Sequence, residues 1–151
     1  MTFAAIVRKP IDPAHVMTLI GADQDGASIL FLGVVRDHND GRSVEGVRYD
    51  AYEEMAEQVI AEIVDEAVRV ADTDRIVAVH RIGELRVGEI SVAIAVSSPH
   101  RAEAYDSSRY IIEEIKKRLP VWKKERYSDG AEEWVEVRKP DAAPAPQAEG
   151  S

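Results

Sequence analysis

Ala27-Ser-Ile-Leu-Phe-Leu-Gly-Val-Val35 runs almost without polar side chains into Arg36-Asp-His-Asn-Asp-Gly-Arg42, after which Val44 to Tyr52 alternates. A strand exposed on one face alternates, so the unbroken run reads as a strand buried on both faces, and the loop after it as a turn. Val44 to Tyr52 reads as its hairpin partner. On the N-terminal side, Phe3 to Val7 forms a short strand, and Asp12-Pro13 places an N-cap before a first-turn proline for a helix over Ala14 to Ile20. Gly21 ends that helix. On the C-terminal side, Met55, Val59, Ile60, Ile63, Val64 and Ala67 recur at three and four residues, predicting an amphipathic helix from Glu53 to Val70. Arg75 to Arg81 and Glu89 to Ser97 are further strands, joined by Ile82-Gly-Glu-Leu-Arg-Val-Gly88. A second helix spans Arg101 to Leu119 and stops at Pro120, which disfavours helical geometry at the residue before it. Lys123 to Tyr127 and Glu133 to Val137 flank Ser128-Asp-Gly130, a hairpin signal. Strands outnumber helices and several neighbours are antiparallel. The expected class is α+β, with a mixed, largely antiparallel sheet and helices packed on it.

At 151 residues the chain has the size of one domain, and 45% hydrophobic with 31% charged residues is enough to bury a core beneath a solvated surface. That domain is read as residues 1–138. From Lys139 the chain has no hydrophobic periodicity and contains three prolines, so residues 139–151 are expected to be a disordered Ala/Pro-rich tail. A net charge of −9 argues against binding duplex nucleic acid, which needs cations spread over a surface. Met1 to Val7 meets Arg8-Lys9 too early for a signal-peptide apolar core, and no run approaches the ~20 apolar residues that span a bilayer. A cytoplasmic protein without a membrane partner is expected. The chain has no cysteine, so it cannot build a disulfide, a thiolate metal site or a persulfide. Sulfur, if handled here, arrives on another molecule.

Three clusters offer chemistry. Lys116-Lys-Arg-Leu-Pro-Val-Trp-Lys-Lys-Glu-Arg126 gathers six cations and one anion in an acidic chain. Lys116, Lys117 and Arg118 suit the last turn of a helix, where cations complement the dipole. Lys123 and Lys124 lie beyond the proline in a strand, where alternation sends them to opposite faces and allows only one to join Lys116 in a pocket. Trp122 should then face away from Lys123. A lysine crowded by other cations can act as a base or nucleophile at neutral pH, and one that stays charged can hold an anion. The second cluster, Ser97-Ser-Pro-His-Arg101, lies between a strand and a helix start. It reads as an anion site built on His100 and Arg101, with a structural helix start capped by Ser98 as the alternative. The third, Arg36-Asp37-His38, follows a buried strand and reads as a ligand loop or an ordinary charged turn. Asp37, His38 and Asp40 match no familiar metal-ligand spacing, so neither metal nor cofactor is expected.

Gly26-Ala27 with Phe31, Gly33 and Val35-Arg36, Tyr49-Asp-Ala-Tyr52 with Met55, His80-Arg-Ile-Gly83, Ser98-Pro-His-Arg101 and Pro120-Val-Trp-Lys-Lys-Glu125, taken together and in order, resemble the large, catalytic subunit of molybdopterin synthase, the MoaE family. The resemblance covers residues 3 to 138. It implies an α/β-hammerhead-like fold and a sulfurtransferase of molybdenum cofactor biosynthesis. Such an enzyme moves sulfur from the C-terminal thiocarboxylate of a small ubiquitin-like partner, ending in Gly-Gly, to cyclic pyranopterin monophosphate. It further implies Lys116 and Lys123 as catalytic residues, Arg36, His100, Arg101, Lys124 and Glu125 as substrate contacts, and a homodimer within a heterotetramer. Tyr105 and Ile112 stand where the family more often has phenylalanine and methionine.

Arg101 and Lys116 are fifteen residues apart, about 22 Å on one straight helix at ~1.5 Å per residue. That distance is too long for both to grip one pterin. The expectation is a two-fold dimer in which His100 and Arg101 of one protomer approach Lys116, Lys123 and Arg36 of the other. A single-strand nucleic-acid module would stack bases on Trp122 and Tyr127, but the chain offers it no second basic patch.

Overall fold

The computed structural model describes residues 1–135. In chain order the elements are β1 (Thr2–Val7), α1 (Pro13–Met17), β2 (Ala27–Val34), β3 (His38–Asn39), β4 (Arg42–Ala51), α2 (Glu53–Ala71), β5 (Ile76–Arg81), β6 (Gly83–Arg86), β7 (Ile90–Ser98), α3 (Arg101–Arg118), β8 (Val121–Tyr127) and β9 (Glu132–Val135). They build two sheets. The first has the order β1-β5-β7-β2, with β1 parallel to β5 and the other pairs antiparallel. The second has the order β3-β4-β8-β9, with β6 on the free side of β4, and is antiparallel throughout. The expected α+β class holds.

Period two decides which side chains of the first sheet meet which helices. Ile76, Ala78, Val92, Ile94 and Val96 point to one face, where they pack against Ala56, Ile60, Ile63, Val64, Ala67 and Ala71 of α2 and Ala104, Ile111 and Ile115 of α3. Their neighbours Val77, Val79, Ala93 and Ala95 point to the other, under Val16 of α1. Fully burying an isoleucine or valine contributes roughly 1.5–3 kcal/mol, so this layer is the main source of stability. Helix α1 begins as its sequence predicts, with the Asp12 carboxylate accepting from the backbone N–H of Ala14 at 3.0 Å and Pro13 in the first turn. Helix α2 ends at Asp72 in a left-handed conformation, φ 54°.

Two local expectations are corrected. Strand β4 is not the hairpin partner of β2. Strand β2 pairs with β7 from Ala27↔Ser98 to Val34↔Ile90, whereas β4 pairs with β8 from Val44↔Tyr127 to Ala51↔Val121. The loop between them carries β3, and His38↔Ser43 with Asn39↔Arg42 makes the short hairpin there. Alternation reports which face of a strand is buried, not which strand lies alongside, and ten-residue β4 pairs over most of its length with β8. Ile82 to Gly88 is likewise more than a connection. Gly83 at φ 103° lets the chain leave β5, and Gly83 to Arg86 then pairs with Gly46 to Tyr49. The readings placed on residues 136–151, including Val137 at the strand end and the Ala/Pro-rich tail, fall outside the described residues.

Candidate active site

Helix α3 carries Lys116 in its last turn, and Leu119 leaves helical geometry at φ −70°, ψ 124° immediately before Pro120. The chain re-enters as β8 antiparallel to β4, so Val121, Glu125 and Tyr127 turn inward while Trp122 is half exposed. Lys123 shares the inward face. Between α3, β8 and the loop after β2 lies a pocket of about 280 Å³, lined by Arg36, His38, Asn39, Tyr49, His80, Lys116, Lys123 and Glu125, with Phe31, Ile112 and Ile115 as apolar wall.

Its electrostatics are uneven. Glu125 is the one carboxylate among the described lining residues, and it is 3% exposed. Asn39 Nδ2 donates to both of its oxygens at 3.0 and 3.2 Å, the Tyr127 hydroxyl donates at 2.9 Å, and Lys123 Nζ lies 3.7 Å away. Against this single anion stand Arg36, Lys116 and Lys123. Burial by surrounding protein lowers the pKa of Lys116, although the residue keeps solvent exposure, and the charges of Lys123 and Arg36 lower it further. Lys123 is also lowered, first by burial and then by Arg36, with Glu125 pulling the other way. Two amines are thus held below the ordinary lysine range within one cavity. Burial raises the Tyr49 phenol, and Tyr49 sets its ring edge against His80 at 5.1 Å.

Most of the basic segment serves the scaffold, Arg126 included, which lies 3.3 Å from Glu84. Arg118 donates to Glu66 at 2.7 and 3.0 Å and to Glu114 at 3.0 Å, which clamps α3 to α2. Lys117 lies 3.4 Å from Glu114. Lys124 projects from the opposite face of β8, 3.4 Å from Glu132 and over the Trp134 ring, and does not line the pocket. His100 and Arg101 are exposed at the far end of α3 and do not line it either. Ser98 does not cap the helix. Its hydroxyl donates to the Ala71 carbonyl at 3.0 Å, and His100 occupies the N-cap position without a side-chain bond.

Among the residues singled out for a site, the pocket therefore joins Arg36, His38, Lys116, Lys123 and Glu125 within one chain. It adds residues that carried no assigned role from sequence, Asn39, Tyr49 and His80. Asn39 and His80 reach the pocket through long-range pairing that no local pattern encodes.

A family model described as MoaE protein matches residues 6–118. The molybdopterin synthase catalytic subunit of Pyrococcus abyssi is 42% identical over 135 residues, covering 87% of this chain and 90% of that protein. Molybdopterin synthase catalytic subunit 1 of Mycobacterium tuberculosis is 38% identical over 133 residues, covering 88% and 90%. The crystal structure of molybdopterin synthase from Staphylococcus aureus superposes with a TM-score of 0.79 at 40% identity, covering 87% of this chain and 95% of that one.

Proposed function

The chain belongs to the MoaE family, the catalytic subunits of molybdopterin synthase, and from that premise we propose that its pocket transfers sulfur from the C-terminal thiocarboxylate of a small ubiquitin-like partner to cyclic pyranopterin monophosphate, forming the molybdopterin dithiolene. The observation that carries this reading is the convergence of Lys116, Lys123 and Arg36 on one cavity with a single buried carboxylate. Both reactants bring negative charge, one as a thiocarboxylate and one as a phosphate, and a cationic cavity lowers the cost of bringing them together. A lysine with a lowered pKa supplies a fraction of neutral amine for base or nucleophilic work, while a neighbour that keeps its proton holds developing anions. The chain has no cysteine, which agrees with sulfur carried in by a partner. Among the described residues no helix is long and apolar enough to cross a membrane, and a biosynthetic role on soluble reactants fits the cytoplasm.

His100 and Arg101 enter the same reading through a second copy of the chain. Strand β2 is the last strand of its sheet, so one edge of its eight residues has no partner strand among the described residues. A two-fold axis through the middle of β2 would pair it antiparallel with its copy and lay the Ala27 end of one protomer beside the Val34 end of the other. Eight residues at about 3.3 Å each span roughly the separation between Arg101 and Lys116 along α3. Arg101 of one protomer is thereby carried toward Arg36 and Lys116 of its partner. Lys124, on the outer face of β8, is assigned to contact outside this cavity.

Reconstitution tests the reading. The purified chain mixed with thiocarboxylated small partner and cyclic pyranopterin monophosphate should yield the dithiolene, and Lys116→Ala should lower turnover by about 10²-fold or more while partner binding stays intact. Loss of binding alone in Lys116→Ala would instead identify a docking surface.

A further inference from the structure

His80 lies at the end of β5, is 6% exposed and lines the pocket with Lys116 and Lys123. Its Nδ1 is 2.9 Å from the Arg81 carbonyl oxygen. A carbonyl only accepts, so Nδ1 carries the proton and Nε2, on the opposite side of the ring, keeps its lone pair. Tyr49 holds the ring from β4 at a steep angle of 80°. The charged groups around it are Lys116 on α3, Arg36 after β2, and Lys123 and Glu125 on β8. Burial and Lys116 hold the imidazole neutral to about pH 4. The cavity therefore contains three cations, a carboxylate already engaged by Asn39, Tyr127 and Lys123, and one buried neutral nitrogen base.

Sulfur transfer from a thiocarboxylate creates a need for such a base. When the sulfur bonds to a substrate carbon, the product is a thioester joining the partner's terminal acyl carbon to the substrate. For sulfur to stay behind, a water oxygen must attack that acyl carbon, the carbon–sulfur bond must break with its electron pair going to sulfur, and the water must lose a proton. We propose that His80 is a catalytic residue whose Nε2 accepts that proton from water and passes it to the departing sulfur. The partner leaves as a carboxylic acid, which ionises in solvent, and no oxidant or reductant is needed. Lys116 and Lys123 stabilise the sulfur anion as the bond breaks, and the returned proton leaves no extra charge in a cationic cavity. This inference rests on the sulfur-transfer reading. The other imidazole of the lining, His38, has a 65% exposed side chain at the rim and bonds Asp37 at 2.9 Å, so it lies outside the sheltered part of the cavity.

The test uses two substitutions in the full chain. In His80→Asn the amide nitrogen can still donate to the Arg81 carbonyl, but nothing replaces Nε2. In single-turnover reactions with thiocarboxylated partner and cyclic pyranopterin monophosphate, quenched samples are read by mass spectrometry for partner joined to pterin. His80→Asn should form this adduct within a few-fold of the wild-type rate and discharge it about 10²-fold more slowly, so that it accumulates. His38→Asn should not accumulate it. Wild-type discharge in His80→Asn, both steps slowed equally, or accumulation in His38→Asn alone would each overturn the proposal. If the wild-type chain itself makes no dithiolene, the sulfur-transfer reading falls and the role of His80 falls with it.

Discussion

Lys123 Nζ stands 3.7 Å from the Glu125 carboxylate, which is itself held by hydrogen bonds from Asn39 and Tyr127. Glu125 raises the pKa of Lys123 against the burial and the Arg36 charge that lower it. Glu125→Gln keeps the shape and removes the charge, so Lys123 should lose its proton at lower pH than in the wild type. Turnover should fall by about 10-fold or more at neutral pH, and any limb of the pH–rate profile that reports Lys123 should move to the acid side. The check is a pH profile of both proteins. Superimposable profiles would show that the contact has no part in the ionisation of Lys123.

Gly26 is the close-approach point of the turn that carries His100 and Arg101. Its N–H donates to the Ser98 carbonyl at 3.1 Å, and a Cβ there would sit 2.6 Å from the Pro99 carbonyl oxygen. Backbone cannot swing aside as a side chain can, so Gly26→Ala must displace the turn. The expected stability loss is about 1–3 kcal/mol by denaturant unfolding. Activity should fall by about 10- to 100-fold, since small misplacements of positioning groups are costly. Unchanged kinetics in a destabilised variant would separate the turn from the reaction.

The layered part of the fold was legible because its signals are local. Period-three-and-four residues marked α2, Asp12-Pro13 marked the start of α1, Pro120 stopped α3, and alternation along β8 put Lys123 and Lys124 on opposite faces as expected. Strand neighbours were not legible. Burial of β2 says nothing about β7 lying beside it, and β6 is too short, at four residues, to stand out from a turn. The site divided the same way. Lys116, Lys123, Arg36 and Glu125 were identified from charge and motif. Asn39 and His80 depend on which distant segments the topology brings together, as Asn39 bonds a residue 86 positions away.

A shared site makes a prediction that a single-chain site does not. His100→Ala with Arg101→Ala in one chain, and Lys116→Ala in another, should each be inactive alone. Mixed and allowed to exchange, they form heterodimers in which one of the two pockets has every intact group. Random exchange makes half of the dimers mixed, so activity should recover to about a quarter of wild type. Size-exclusion chromatography establishes the dimer, and the mixing assay reads the sharing. No recovery after demonstrated exchange would place the whole reaction within one protomer.

Acid should weaken the protein in two stages, and the first belongs to His80. Folded, His80 stays neutral until about pH 4, whereas the unfolded imidazole titrates near 6.5. Between those values the unfolded chain binds a proton that the folded chain refuses, so stability is complete above pH 6.5 and falls as pH drops toward 4. His80 is 6% exposed and little screened by solvent, and the shift corresponds to about 3 kcal/mol. The second stage belongs to Glu66, whose bonds from Arg118 and Tyr110 hold it at about 2 in the folded state. Its contribution is complete above the ordinary carboxylate value of 4.5 and is lost as pH falls toward 2. Denaturant unfolding from pH 3 to 8 should therefore show a slope between 6.5 and 4 that His80→Asn flattens and Glu66→Gln leaves in place. Equal slopes in wild type and His80→Asn would mean that the folded imidazole takes up its proton as readily as the unfolded one, and the pocket would then hold no neutral base at moderately acidic pH.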